Sequence, residues 1–162
     1  MKKLLSTLFA AVLMVGFVAP AAAQATDETL LKEVGELLTE NRGIATKIAT
    51  KLGFAVSSTQ PGSGTQAEKN NALAVRNQML FKQIASKLGV VVQTDVPTLP
   101  TLIEQTHATL RGNRVVTKAI LEALGLDAPS AVSMKGSLVE QNRDLLLGNR
   151  EAMKKIAAAL GA

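Results

Sequence analysis

Two kinds of residue in this chain could do chemistry. The first is the pair Glu104 and His107, written Glu-Gln-Thr-His. A Glu-x-x-His pair on one helix can hold a metal ion, as it does in di-iron bundles, where the motif occurs twice beside two further inward carboxylates. Here it occurs once, and His107 is the sole histidine of the chain. Glu104 falls almost opposite the apolar stripe of its helix and His107 at the margin, so the spacing predicts an exposed surface and at most a weak metal candidate. The second kind is a set of four asparagines, Asn41, Asn77, Asn113 and Asn149, spaced 36 residues apart. An amide both donates and accepts, so four of them at one level could partly satisfy one another or hold a polar guest.

Other chemistries find no material. The chain has no cysteine, which removes thiol nucleophiles, Cys-based zinc sites and covalent haem attachment. Pro61–Gly64, Pro-Gly-Ser-Gly, is glycine-rich but lacks the lysine and preceding strand of a phosphate-binding loop. Without a second histidine or an inward carboxylate pair, no nucleophile and base can be assembled, so the expectation is a protein that is not an enzyme and needs no cofactor.

The asparagines belong to a longer phrase. Asn41–Gly53, Asn77–Gly89, Asn113–Gly125 and Asn149–Gly161 each begin with Asn, end in Leu-Gly and carry Ile five residues before the end. Upstream, Thr65, Thr101 and Ser137 are each followed three residues later by Glu68, Glu104 and Glu140. This is the Ser/Thr-x-x-Glu capping box that opens a helix, and Gly at the far end closes one. The first copy has Thr29 with Lys32, so there Asp27 or Thr26 is the expected cap. The pattern predicts four 36-residue units with helices over about 28–52, 65–88, 101–124 and 137–160, each roughly 35 Å long.

With the capping Thr/Ser counted as position 1, apolar residues gather at positions 2, 3, 9, 10, 16, 17, 20 and 24, one face of each helix. A single unit cannot bury that face alone, whereas four together can. The fold expected is an all-α four-helix bundle. Acids concentrate in the first half of each helix and bases in the second, which favours up-down-up-down packing with opposite charges side by side.

Position 13, the asparagine, is the midpoint of each helix and lies in the stripe. The primary reading is a buried polar layer that fixes register. Gly112-Asn113 and Gly148-Asn149 also admit a stop and restart, making each unit a helix-turn-helix. Position 6 adds Asn70, Thr106 and Asn142 as a second polar set in the core, with Val34 in the first unit. Arg42, Arg114 and Arg150 at position 14, with Gln78 in the second unit, lie at the helix flank. They are candidates for ion pairs, an anion or a partner.

The start of the chain gives an address. Lys2 and Lys3, an apolar run from Leu4 to Ala19 and Ala21–Ala23 have the layout of a signal peptide cleaved after Ala23. No cysteine follows, so the mature protein is expected not to be a lipoprotein, and to be periplasmic or secreted. One domain over 24–162 remains. Without Lys2 and Lys3 it carries 16 basic and 13 acidic residues, and it has neither Trp nor Tyr. That is too little charge and too little aromatic surface for nucleic acid. The expected role is a structural or protein-interaction module of the cell envelope with a protein partner. Lys82, Lys118 and Lys154 at position 18 offer peripheral contact with membrane or cell wall. The alternative is a periplasmic carrier that holds a small or elongated ligand around the asparagine layer.

Overall fold

The computed structural model describes residues 19–57, 62–95 and 98–162, with side chains of the first helix described from residue 27 onward. The expected leader lies outside the described residues as far as residue 18. Four helices make up the described chain: α1 (Ala19–Lys51), α2 (Gln66–Lys87), α3 (Leu102–Ala123) and α4 (Leu138–Leu160), with no strand among the described residues.

The three capping boxes form as the spacing predicts. Thr65, Thr101 and Ser137 each accept from the backbone N–H of Glu68, Glu104 and Glu140, and each carboxylate accepts in return from the cap's own N–H. At the other end Gly53, Gly89, Gly125 and Gly161 take positive φ. The residue after each donates back five residues, as in Phe54 N–H to Ala49 O at 3.1 Å and Val90 N–H to Ala85 O at 2.8 Å. That bond turns Phe54, Val90 and Leu126 onto the end of the core. The first helix departs from expectation. It begins at Ala19, so neither Thr26 nor Asp27 caps it. The alanines at 21–23 are strong helix formers and carry the helix through both polar residues.

Each helix packs on two neighbours in a closed ring, α1–α2–α3–α4–α1. Up-down-up-down packing is overturned, because all four helices run the same way. Asn70 Nδ2 donates to Leu31 O at 2.7 Å and, one heptad later, Asn77 Nδ2 donates to Leu38 O at 2.9 Å. Moving seven residues along α2 therefore moves seven residues in the same direction along α1. The core agrees. One apolar cluster gathers first halves (Val34, Leu37, Leu73, Leu110, Leu145, Leu146) and the other gathers second halves (Ile48, Phe81, Ile84, Ile120, Met153, Ile156).

Parallel neighbours need long returns, and the chain supplies them. Residues 52–65, 88–101 and 124–137 are 14 residues each, with a reach of about 46–50 Å against helices of about 33 Å. They are also more than turns. Phe54 and Val56, Val90 and Val92, and Leu126 and Val132 pack inward, while Ala55, Val91 and Asp127 face solvent. This period of two is that of an extended chain lying on a surface. The described parts of the connections are straps over the outside of the bundle. The charge bias was a weak guide by comparison. Of the pairs Lys118–Glu122, Arg143–Asp144 and Arg150–Glu40, only the last joins two helices.

Candidate functional site

Asn41, Asn77, Asn113 and Asn149 all sit in the core, each 1% exposed, between the two apolar clusters. Three of them reach sideways to a neighbouring backbone in the same way. Asn77 Nδ2 donates to Leu38 O, Asn149 Nδ2 to Leu110 O at 3.4 Å, and Asn41 Nδ2 to Leu146 O at 3.1 Å. In every case position 13 of one helix meets position 10 of the helix before it, and the last bond closes α1 onto α4. The amides thus do not satisfy one another as a ring. Three of the nitrogens serve a carbonyl of the preceding rod, and the Oδ1 atoms of all four asparagines are buried without a hydrogen-bond donor from the protein.

The second polar set also links each helix to the one before it. Asn70 donates to Leu31 O and accepts from Gln66 Nε2 at 2.8 Å. Thr106 Oγ1 donates to Leu102 O at 2.7 Å and lies 3.3 Å from Asn71 Oδ1. His107 Nδ1 lies 2.9 Å from Asn142 Oδ1. Glu104 is occupied as a capping carboxylate, accepting from Thr101 N–H at 3.0 Å and Thr101 Oγ1 at 2.8 Å. Glu104 and His107 thus face separate partners. Among the described residues no group of three or more His, Cys, Asp or Glu is placed to hold a metal.

Two of the position-14 side chains clamp straps. Arg42 Nη2 donates to Ser57 O at 2.8 Å, and Arg114 Nη2 donates to Ser130 O at 2.8 Å and Pro129 O at 3.3 Å. Burial and then the nearby Arg76 guanidinium pull Arg42 below its ordinary pKa, though an arginine there stays charged. Lys82 Nζ holds the second strap at Thr94 O. Arg114 reaches its strap across Gly148, where a Cβ would lie 2.6 Å from Arg114 Nη1 and 2.8 Å from Val132 Cγ2. Gln78 crosses Gly112 in the same manner, with its Nε2 2.5 Å from the point a Cβ would occupy and Thr94 Cβ 3.5 Å from it. These two glycines sit inside continuous helices and neither ends one. They are sites of close approach, and the alternative of a helix-turn-helix in each unit does not hold.

Three straps serve four grooves. Among the described residues none lies between α4 and α1, where Arg150 Nη1 donates to Glu40 Oε2 at 2.7 Å. Ile44 in this groove is only half-buried, whereas Leu80, Val116 and Ala152 at the same position of the other helices are buried. Glu40 was not singled out from the sequence. The signal available was its place at position 12, where α3 and α4 carry glycine.

Surface grooves of about 680 and 500 Å³ lie beside Lys32, Glu36 and Lys69, and beside Ser130, Leu147 and Lys154. A third, of about 340 Å³, lies between Arg114 and Pro129, and no central asparagine lines any of the three. Among the described residues no helix is long and apolar enough to cross a membrane. No protein-family model, curated protein or solved structure matches the chain.

Proposed function

We propose that the chain is an exported, non-enzymatic structural or protein-interaction module of the cell envelope, built from four copies of one 36-residue unit. Its first 23 residues are a signal peptide. The layout of Lys2–Lys3, the apolar run and Ala21–Ala23 supports export. Cleavage after Ala23 starts the mature chain one residue before Ala25, within α1 and close to Asp27 and Glu28, which suit a helix start.

The observation that carries an interaction role is the uncovered α4–α1 groove. In the other grooves an extended segment lies on the bundle with alternate apolar residues inward, and in two of them a position-14 arginine donates to its backbone carbonyls. The α4–α1 groove offers the same arginine, Arg150, and a half-buried Ile44, with Glu40 in place of a strap. The partner it suits is an extended segment of another protein with apolar residues at every second position, which displaces Glu40 and takes Arg150 on a carbonyl. Such strand-like docking gains affinity from main-chain bonds and specificity from alternate side chains.

Two measurements test the reading. Mass spectrometry of the protein from a periplasmic extract should show an N-terminus at Gln24, and an unprocessed chain confined to the cytoplasm overturns export. A photo-crosslinking residue at Lys51, which lies beside Gly161 at the end of α4, should yield one discrete protein adduct in cells that weakens in Arg150→Ala. Equal adducts from the strap-covered exposed site Val91, or none from the open groove, overturn the docking surface.

A further inference from the structure

The central layer leaves four acceptors without a donor. Leu38 O, Leu146 O and Leu110 O can only accept, so the amide atom facing each must be nitrogen. This fixes the orientation of Asn77, Asn41 and Asn149 by chemistry, with oxygen on the opposite branch. Oδ1 of these three and of Asn113 is fully enclosed, in one cross-section of the bundle, with no protein donor in reach. A buried acceptor in this condition is destabilising unless something supplies positive charge or hydrogen.

The character of the layer narrows the guest. Anions need donors, and the Nδ2 groups of three of the asparagines are already engaged with backbone. Divalent ions such as Ca²⁺ draw on carboxylates, and transition metals on imidazole or thiolate. The neighbouring stripe positions supply none of these: they are Leu37, Leu38, Leu73, Leu145, Leu146 and their like. A single water donates only two hydrogens to four oxygens. Four buried neutral carbonyl-type oxygens without a donor, one on each helix, match a small monovalent cation, whose dehydration costs least and whose shell such oxygens can replace.

We propose that Asn41, Asn77, Asn113 and Asn149 form a binding site for a small monovalent cation, potassium, sodium or ammonium, held through their four Oδ1 atoms inside the bundle. The ion ties all four rods at mid-height and so fixes their register. This site is independent of the docking groove and of export.

The test compares thermal melting of the purified protein, refolded in chloride salts of potassium, sodium, ammonium or choline at equal ionic strength. Choline is too large for the layer. The melting temperature should rise with the concentration of at least one small cation and stay flat with choline, as expected for a ligand of the folded state alone. Crystals grown with rubidium should show an anomalous peak among the four Oδ1 atoms. Asn113→Leu should abolish the cation dependence. Asn113→Asp, which keeps the layer polar, should tighten it at least about tenfold by adding a charge. Equal melting in all four salts, density for water alone, or a cation effect that survives Asn113→Leu overturns the proposal.

Discussion

Replacing Gly148 by alanine should weaken the protein, although alanine is the better helix former by about 1 kcal/mol. The reason is the strap. The new Cβ would lie 2.6 Å from Arg114 Nη1 and 2.8 Å from Val132 Cγ2. A guanidinium at the end of a long side chain can move aside cheaply, but Val132 is short and branched and moves only with its backbone. Lifting it forfeits the bonds of Arg114 to Ser130 O and Pro129 O, worth at least about 1.5 kcal/mol for a charged donor. It also exposes a half-buried valine, about 1 kcal/mol more. The net loss is about 1–2 kcal/mol. Gly43 is the control, because nothing lies within 4 Å of a Cβ there. Gly43→Ala should stabilise by about 1 kcal/mol. Urea unfolding of the two variants should therefore diverge by about 2–3 kcal/mol, or roughly 5–10 °C in melting temperature. If Gly148→Ala gains as much as Gly43→Ala, the strap does not press on α4 and the account of close approach is wrong.

Spin labels at Thr50 and Ser86, both near helix C-termini, should report a distance below about 25 Å. Antiparallel helices would place them roughly a helix length apart, about 33 Å along the axis alone. Glu40→Arg should lower stability by up to about 1 kcal/mol and Arg150→Glu in the same chain should restore it, since the pair is partly exposed; no rescue in a double-mutant cycle would deny the α4–α1 closure. The Glu68 and Glu140 carboxyls are held below their ordinary value of 4.5, first by the backbone N–H and then by the hydroxyl of Thr65 and Ser137. A lowered folded-state pKa gives stability that is present above the unfolded value and lost as pH falls through the folded one. The melting temperature should thus drop on acidification below pH about 4.5, and less steeply in the Glu68→Gln, Glu140→Gln double variant, which circular dichroism melts across that range will check.

The helices were legible because local signals agree: a capping box, an apolar face and a terminal Gly-apolar pair are all contained within one unit. Their direction was not. Charges along each helix argue for antiparallel neighbours, yet exposed pairs contribute about 0–1 kcal/mol each, and neither Lys118–Glu122 nor Arg143–Asp144 joins two helices. The stronger information lay in the connections. Phe54/Val56 and Val90/Val92 alternate with exposed residues, which marks chain that covers a surface, and the turn residues around them drew attention away. The asparagines are buried, in keeping with their place in the apolar stripe, but the partners of three of them are backbone carbonyls of an adjacent helix, which no side-chain pattern records.

Because the four rods point one way, their peptide dipoles add and do not cancel. Each helix end is equivalent to roughly half an elementary charge, so the bundle presents about two positive equivalents at its starts and two negative at its finishes. Glu68, Glu104 and Glu140 answer the first, and Lys51 and Lys87 stand near the second. The molecule consequently has two chemically unlike tips, and beside a charged surface it has a preferred end to set down.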